Sequence, residues 1–346
     1  MVFPPLPKED LDHVLTHTRP LWEQLRGKRI FVTGATGFFG IWLLESFAYA
    51  NKELGLGAEL MGLSRDPDAF YLKVPHLAGV SSIVLHQGDV RTFEFPDGSF
   101  SHVIHAGTTS SVPVPPLEML DTITQGTRRT LDFAVSAGAK KFLFVSSGAV
   151  YGKQPPDITH IPETYAGAPD PMDLRPVSIY GEGKRVGELL CSIYDQEHGL
   201  ETTIARCFAF VGPHLPLDAH FAIGNFIRDA MSGETIEVND GTPYRSYLYM
   251  ADLAIWLWII LFKGKACFPY NVGSDREITI AELAETVAST IDESTQTQSI
   301  PASNLKSPPS RYVPDTSRTK NALGVKSLIG IQESIKRTSN WHSNRL

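Results

Sequence analysis

The sequence predicts an α/β fold with a doubly wound parallel sheet and a smaller C-terminal lobe. The first observation is that short apolar segments of strand length alternate with apolar-periodic helical segments up to about residue 210. This alternation is typical of a parallel sheet that helices cover on both faces. The second is that stretches rich in Pro and Gly become frequent beyond residue 150. Such stretches form loops, and loops on a rigid α/β scaffold are where substrates are usually held.

The predicted elements follow one another closely along the chain. A helix over residues 8–26, broken near Pro20, precedes the first strand at residues 29–33, and an apolar-periodic helix runs from Ile41 to about Glu53. The most hydrophobic window, residues 253–262, is too short to span a bilayer, which needs roughly 20 apolar residues, so it predicts a buried core helix. Further strands are predicted at residues 58–63, 82–87, 102–106, 141–145 and 204–210, and further helices at residues 122–137 and 185–198.

Composition and charge exclude several classes of protein. Hydrophobic residues make up 42% of the 346 residues and charged residues 20%, which excludes general disorder. The chain has 31 Lys+Arg against 38 Asp+Glu, a net charge of −7, which argues against nucleic acid or an anionic membrane as a partner. The three cysteines are widely spaced, and His214 and His220 lack a nearby third ligand, so no disulfide framework and no metal site is predicted. We expect a cytoplasmic protein without a signal peptide.

Three glycines mark the turn between the first strand and its helix. Gly34, Gly37 and Gly40 stand at intervals of three, in the place where a dinucleotide-binding fingerprint is found. Glycines there allow a tight turn and let the backbone approach a pyrophosphate, whose negative charge the helix N-terminus stabilises. The motif predicts that NAD or NADP binds at the end of the first strand.

The end of the second strand bears on the choice between NAD and NADP. An acidic residue there bonds the adenosine ribose 2′-hydroxyl and selects NAD. Ser64 and Arg65 occupy that place, and Asp66 comes one or two positions late. Arg65 slightly favours NADP because it could pair with a 2′-phosphate, although it could also stack on the adenine of either cofactor.

The candidate catalytic residues are a tyrosine, a lysine and a serine. Tyr180 and Lys184 are four residues apart on a predicted helix, so the phenol and the ammonium project from one face. A lysine beside a tyrosine favours the phenolate, which makes a usable acid/base at neutral pH. Ser147 ends a predicted strand and could share the proton.

The order of these motifs adds a further indication. The chain resembles the extended short-chain dehydrogenase/reductases of the nucleotide-sugar epimerase/dehydratase group from residue 28 to about residue 340. The resemblance implies a Rossmann-type fold and a nucleotide-diphosphate sugar as the substrate. The matching stretches are TGATGFFG (33–40), GDV (88–90), HAG (105–107), VSSGAVYG (145–152), YGEGK (180–184), ARCFAFVGP (205–213), GNFI (224–227), YRSYLYMADLA (244–254) and YVPDTSRTKNALG (312–324).

The resemblance also implies roles for the residues at matching positions. Tyr180 would be the catalytic acid/base, Lys184 would hold the cofactor ribose and lower the pKa of the tyrosine, and Ser147 would complete the triad. An arginine suits contact with a nucleotide diphosphate through charge-assisted, forked hydrogen bonds. Substrate contacts are expected from Thr108, Ser147, Asn225 and Arg245. Cofactor contacts are expected from Gly34, Thr36, Gly37, Phe38, Phe39, Gly40, Ser64, Arg65, Asp89, Val90, His105, Ala106, Gly107, Tyr180 and Lys184.

Two positions depart from the pattern of this group. Relatives that remove water across C5 and C6 of the sugar carry an Asp-Glu pair directly after the catalytic serine or threonine, whereas this chain has Gly148 and Ala149. Neither residue can move a proton, which argues against a 4,6-dehydratase. UDP-glucuronate decarboxylases carry a glutamate at the position of Ala149, which weakens that interpretation too. We therefore expect an NDP-sugar 4-epimerase that uses NAD or NADP.

Three alternatives remain open. An NADPH-dependent 4-keto-sugar reductase is favoured by Arg65. A 4,6-dehydratase or decarboxylase would need a non-standard acid/base, for which Glu163 and Asp170 in a proline-rich loop are the candidates. A non-catalytic cofactor-binding scaffold is disfavoured by the intact catalytic triad.

The expected organisation has three parts. Residues 1–27 form an N-terminal helical arm, and residues 28–175 form the dinucleotide-binding core, whose sheet is completed by 176–212 and part of 244–275. Residues 213–243 and 276–346 form the substrate-binding lobe. The helices over residues 122–137 and 185–198 are expected to pair two subunits into a homodimer, as in members of the group.

Overall fold

The computed structural model describes residues 2–107, 114–219, 221–299 and 308–344. The strands of these residues, in chain order, are β1 (Arg29–Thr33), β2 (Glu59–Ser64), β3 (Ile83–Gln87), β4 (His102–His105), β5 (Lys141–Ser147), β6 (Glu201–Cys207), β7 (Phe210–Val211), β8 (Ile236–Val238), β9 (Tyr244–Arg245), β10 (Leu248–Tyr249), β11 (Pro269–Val272), β12 (Ile278–Thr279), β13 (Thr297–Ser299) and β14 (Arg311–Tyr312). The helices are α1 (Lys8–Thr18), α2 (Phe38–Leu54), α3 (Pro67–Lys73), α4 (Pro75–Ala78), α5 (Pro116–Ser136), α6 (Pro176–His198), α7 (Ala222–Met231), α8 (Met250–Lys263), α9 (Ile280–Ile291), α10 (Ser317–Leu323) and α11 (Ile331–Ser343), with 3-10 helices at Arg19–Leu25 and Gly148–Tyr151.

Seven strands of the described residues form one parallel sheet in the order β11–β6–β5–β4–β1–β2–β3. Side chains alternate between its faces: Ile30 and Val32 of β1 pack with α2 and α8, and Phe31 packs with α5 and α6. Because helices cover both faces, the central strand β4 is buried along its whole length. The doubly wound α/β fold predicted from the sequence is confirmed.

Several element boundaries differ from the predicted ones, among them those of α2, of α5 and of the strand predicted over residues 204–210. α2 begins at Phe38, directly after the glycine turn and earlier than predicted. α5 begins at Pro116 rather than at residue 122, since proline has no N–H to satisfy and suits the first turn of a helix. The strand predicted over residues 204–210 is divided: β6 ends at Cys207, and β7 leaves the main sheet to pair with β10.

The helix α8 is the buried core helix that the sequence predicts. Its residues from Met250 to Phe262 are all buried. Asp252 at its start accepts hydrogen bonds from the backbone N–H groups of Leu328 and Ile329, at 2.7 and 3.0 Å. Within the described parts of the chain, no helix is both long enough and apolar enough to cross a membrane.

The C-terminal residues build a second, smaller hydrophobic cluster. Helices α7, α9 and α11 pack on one another around Ile227, Leu283 and Ile335, which are fully buried. A small sheet, in the order β12–β9–β14, places Tyr312 directly opposite Arg245. We propose that this cluster is the substrate-binding lobe, with the limits expected from the sequence.

The N-terminal segment is packed into the main core. Trp22 and Leu25 are fully buried in the cluster that also contains α2 and α8. Asp10 is fully buried as well, and its carboxylate accepts hydrogen bonds from Tyr249 Oη and Arg337 Nη1, each at 2.6 Å. These bonds connect α1 to β10 and to the helix α11 near the C-terminus.

Replacing Asp10 with alanine should lower the free energy of unfolding by about 1.5–3 kcal/mol, because the buried phenol of Tyr249 and the half-buried guanidinium of Arg337 lose their shared partner. Equilibrium unfolding in urea measures this change. The matched control is Glu23→Ala, which removes an exposed ion pair with Arg26 on the same segment and should change the free energy of unfolding far less. Equal losses for the two variants would contradict a structural role for Asp10.

Candidate active site

The turn between β1 and α2 lies against the end of β4 with no room for side chains. Gly34 has φ +69°, and a Cβ there would lie 2.5 Å from the carbonyl oxygen of Ala106. A Cβ at Gly40 would lie 2.2 Å from the carbonyl oxygen of Gly34. Gly37 precedes α2, and no side chain caps the first-turn N–H groups of that helix. The turn therefore presents backbone N–H groups and the positive end of a helix dipole.

Aromatic residues follow this turn and face the interior. Phe38 and Phe39 are half-buried and pack against the main core, and Phe39 meets Phe210 edge-on at 5.1 Å between ring centroids. Thr36 is half-buried beside the exposed Gly37. The two phenylalanines thus anchor the start of α2.

The ends of β2 and β3 bring charged groups together. Ser64 is buried and its Oγ accepts the N–H of Asp66 at 3.2 Å, while the carboxylate of Asp66 caps α3 by accepting the N–H of Ala69. The Arg91 guanidinium holds the pKa of Asp89 below its usual range, and Arg65 adds a smaller effect in the same direction. Asp66 is therefore occupied as a helix cap, and the exposed Arg65 lies near Asp89.

The end of β4 carries His105, whose side chain is fully buried. Its Nδ1 lies 2.6 Å from Thr33 Oγ1 and its Nε2 lies 3.0 Å from Thr127 Oγ1. Burial lowers the pKa of the imidazole well below its usual value, so it is neutral. The side chain therefore joins β1 to α5 beneath the turn. The backbone N–H of Gly107 also donates to Thr33 Oγ1, at 3.1 Å, and the predicted Thr108 lies outside the described residues.

Helix α6 carries Tyr180 and Lys184 and lies unusually close to β5. A Cβ at Gly181 would lie 2.5 Å from the carbonyl oxygen of Ala149, and one at Gly187 would lie 2.4 Å from the ring of Phe144. Lys184 is consequently buried, and its Nζ donates to the carbonyl oxygen of Val145 at 2.6 Å. The same ammonium lies 5.7 Å from the centroid of the half-buried ring of Tyr180. The helical spacing and this packing together bring the lysine nitrogen beside the tyrosine ring.

Ser147 ends β5 and begins the 3-10 helix that follows. Its Oγ accepts the N–H of Ala149 at 3.1 Å. The same Oγ lies 3.5 Å from the hydroxyl of Tyr312, which comes from β14. Sequence reasoning missed Tyr312 as a site residue, although the empty side-chain positions at Gly148 and Ala149 were a signal that another residue fills this space.

The remaining predicted residues hold loops around this centre. Val90 packs against Gly126, because a Cβ at Gly126 would lie only 2.8 Å from Cγ1 of Val90. The side-chain amide of Asn225 donates to the carbonyl oxygens of residues 217 and 219, at 2.9 and 2.8 Å. Arg245 is half-buried on β9 and its Nη1 donates to the carbonyl oxygen of Tyr244 at 2.8 Å.

The two loop carboxylates lie in different environments. Glu163 is buried, and its Oε1 accepts the N–H of Asn271 at 2.9 Å. Asp170 is exposed and accepts the N–H of Met172 at 2.9 Å. Both are thus engaged in holding local backbone. No three His, Cys, Asp or Glu residues of the described segments group in a way that could hold a metal ion.

Comparison with known proteins identifies the family. The model of the NAD dependent epimerase/dehydratase family matches residues 30–273, which are more than half of the chain. The chain belongs to this family.

Relatives in the epimerase/dehydratase family cover most of the chain. It is 30% identical over 309 residues to UDP-glucuronic acid decarboxylase 6 of Arabidopsis thaliana, covering 89% of this chain and 86% of that protein. It is 36% identical over 221 residues to UDP-glucuronic acid decarboxylase 3 of the same plant, covering 64% of this chain and only 62% of that protein.

Solved structures share the fold at lower identity. The UDP-N-acetylglucosamine 4-epimerase of Methanobrevibacter ruminantium M1, in complex with UDP-N-acetylmuramic acid, has a TM-score of 0.79 at 19% identity, covering 92% of this chain and 99% of that one. The UDP-glucose 4-epimerase of Thermus thermophilus, in complex with NAD, has a TM-score of 0.73 at 24% identity, covering 92% and 100%. At these identities the comparison shows the fold alone.

The glycine turn fits the dinucleotide for which this family is named. Side chains at Gly34 and Gly40 would collide with backbone oxygens. A turn this tight therefore requires glycine at both positions. The uncapped first turn of α2 would hold the pyrophosphate. Arg65 and Asp89 would face the adenosine half, and Tyr180 with Lys184 the nicotinamide half.

Burial lowers the pKa of Lys184 to about 7. The unfolded chain binds the lysine proton up to about pH 10.4, so between about pH 7 and that value the unfolded state holds more protons, and folding stability rises with pH. Replacing Lys184 with methionine removes this dependence. We expect the unfolding free energy of Lys184→Met to exceed that of the wild type most at about pH 6, and the difference to shrink toward pH 9. A difference that is independent of pH would show that the folded lysine titrates normally.

Proposed function

We propose that this chain is an NDP-sugar 4-epimerase, which acts through oxidation and reduction at C4 of the sugar. The coarser conclusion, an enzyme of the NAD-dependent nucleotide-sugar family, follows from the family assignment. The observation that carries the finer proposal is that Ser147, Tyr180 and Lys184 are intact while the two residues after Ser147 carry no group that can move a proton.

Tyr180 performs the central proton transfer in this proposal. The phenolate of Tyr180 accepts the proton of the C4 hydroxyl, and the ammonium of Lys184 beside the ring stabilises that phenolate. Ser147 hydrogen-bonds the same sugar oxygen. A nicotinamide cofactor held at the glycine turn would supply the oxidation and re-reduction of C4 by hydride transfer. Tyr180 then gives back its proton, so the sugar differs from the substrate only in its configuration at C4.

The two described residues after Ser147 do not supply the usual base for elimination across C5 and C6. Removing a proton from C5 needs a base within hydrogen-bond reach, and neither Gly148 nor Ala149 has one. The loop candidates of the sequence analysis do not supply it either in our proposal, because Glu163 holds the backbone of Asn271 and Asp170 holds that of Met172.

UDP-glucuronate decarboxylation is the second candidate, and the relatives favour it. The two Arabidopsis proteins named above carry that activity in their names. A carboxylate at C6 stands β to a C4 ketone, so it can leave as carbon dioxide without a base at C5. The missing glutamate at position 149 is the observation against this candidate.

The decisive experiment offers the purified protein UDP-glucose, UDP-N-acetylglucosamine, UDP-glucuronate and dTDP-glucose with NAD and with NADP, and a nucleotide-linked 4-keto sugar with NADPH, and identifies the sugar products by mass spectrometry and NMR. Epimers of unchanged mass support the proposal. Loss of carbon dioxide, loss of water, or consumption of NADPH by a 4-keto sugar would replace it with a decarboxylase, a dehydratase or a reductase, respectively.

Tyr180→Phe should lower kcat by about 100-fold or more, because the hydroxyl that transfers the proton is lost. Cofactor affinity should stay within about threefold of the wild type. Tyr49→Phe is the matched control, since Tyr49 donates to Asp12 on the N-terminal segment away from the site, and should leave kcat unchanged. Activity of Tyr180→Phe within about threefold of the wild type would exclude Tyr180 as the acid/base.

We also propose that Arg65 gives the site a preference for NADP. Arg65→Ala should then weaken NADP binding by roughly 10- to 150-fold, the scale of a hydrogen bond to a charged group, and hardly change NAD binding. Calorimetric titration with each cofactor measures this. Arg26→Ala, which changes an exposed arginine beside Glu23, controls for lost surface charge. Equal losses for both cofactors would leave Arg65 only a stacking role.

A homodimer through α5 and α6 remains our proposal for assembly. These helices pack on each other, and α6 divides its apolar residues between two sides. Tyr194 and Cys191 are buried with the sheet, whereas Val186, Leu189 and Ile193 are exposed. Light scattering tests this proposal, because a monomer would have a mass of 38.1 kDa.

A further inference from the structure

The space beside Gly148 is filled by a residue from the other end of the chain. A Cβ at Gly148 would lie 2.9 Å from the hydroxyl oxygen of Tyr312 and 2.8 Å from the ring of Phe208, whereas ordinary contacts begin at 3.4 Å. A side chain at this position would therefore displace the phenol. The hydroxyl of Tyr312 occupies the space that an acidic side chain at position 148 would need.

The position of Tyr312 is well defined by its neighbours. Its ring packs on Phe208 at 4.7 Å between centroids, and its Cα is paired with that of Arg245 across the β9–β14 ladder. Its hydroxyl lies 3.5 Å from Ser147 Oγ. The C-terminal lobe thus delivers a phenol to the carboxyl end of β5, where the candidate triad lies.

The phenol of Tyr312 stays protonated. Burial raises its pKa, and Tyr180 and Cys207 raise it further, against a lowering by the hydrogen bond to Ser147 and by Arg245. The site therefore holds two phenols with different roles. Tyr180, with the amino group of Lys184 beside its ring, transfers the proton in the proposed reaction, and Tyr312 keeps its proton to donate.

The hydrogen bonds of Ser147 show what this donation does. A serine hydroxyl offers two acceptor positions and one donor. The N–H of Ala149 fills one acceptor position at 3.1 Å, and the protonated hydroxyl of Tyr312 lies 3.5 Å from the same oxygen, where it can fill the other. The remaining Ser147 proton must then point away from both partners. Hydrogen bonds at such sites often shorten once a substrate is present, so the 3.5 Å separation suits this role.

We propose that Tyr312 is a positioning residue, whose hydroxyl donates to Ser147 Oγ and directs the Ser147 proton toward the sugar oxygen and the phenolate of Tyr180. The inference rests on the proposed C4 chemistry and adds to it a residue outside the triad. It also explains why position 148 is glycine, since any other side chain would displace the hydroxyl that orients Ser147.

A double-mutant cycle tests the proposal with whichever nucleotide sugar is turned over. Tyr312→Phe should lower kcat about tenfold and change KM by less than about threefold. Ser147→Ala should lower kcat at least as much, and the double variant should be no worse than Ser147→Ala alone, because Tyr312 acts through that hydroxyl. Tyr49→Phe is again the control. Losses that multiply in the double variant, or no loss in Tyr312→Phe, would overturn the proposal.

A second measurement needs no substrate, which separates this inference from the proposed function. The absorbance of tyrosinate is followed against pH in the wild type and in Tyr180→Phe, and the difference reports Tyr180. The same pair is compared in a Tyr312→Phe background. We expect the midpoint for Tyr180 to rise by about half a pH unit or more, because a less polarised Ser147 stabilises the phenolate less.

An unchanged midpoint would overturn the proposal even if a nucleotide sugar is turned over. A raised midpoint supports it even if no tested sugar is a substrate, in which case only the proposed function fails. Gly148→Ala is the second variant. Its Cβ should displace the phenol and produce the same rise in the midpoint, without altering any residue of the triad.

Discussion

The close approach of α6 to β5 is the constraint on which the candidate site depends. Gly181 and Gly187 lie where a Cβ would collide with the Ala149 carbonyl and the Phe144 ring, so the helix axis can lie nearer the sheet than ordinary side chains allow. This approach is what lets Lys184 reach the carbonyl oxygen of Val145. The same approach places Tyr180, one helical turn earlier, at the edge of the buried region, where it can meet both the lysine and a substrate.

Burial disfavours the charged forms of Lys184 and Tyr312 in the interior of the site, and charged arginines lie at its periphery. Burial lowers the pKa of Lys184 to about 7 and raises that of Tyr312. Arginines are found at the periphery, with Arg65 near Asp89 at one end and Arg245 on the small sheet at the other. Peripheral arginines suit a substrate that carries an anionic diphosphate. An interior in which small changes in environment alter protonation suits the proton transfer.

The lobe contributes a side chain to this centre. Tyr312 lies 165 residues after Ser147 in the chain and reaches it only because β14 pairs with β9. The N-terminal segment is bonded to the lobe, since the buried Asp10 of α1 accepts a hydrogen bond from Arg337 of α11. A change in the packing of the lobe or of the N-terminal segment would therefore alter the contact between Tyr312 and the hydroxyl of Ser147. Neither of these parts belongs to the dinucleotide-binding core.

The sequence by itself determined the parallel sheet, the glycine turn and the Tyr180–Lys184 pair, because these depend on hydrophobic period, on turn chemistry and on helical spacing, which are local. It also showed that Gly148 and Ala149 lack the expected acid and base. Only the tertiary structure decided what occupies that space, that Asp66 is a helix cap and that His105 is a buried link. These outcomes depend on contacts between distant segments, whose side chains meet only when the sheet and the lobe have packed.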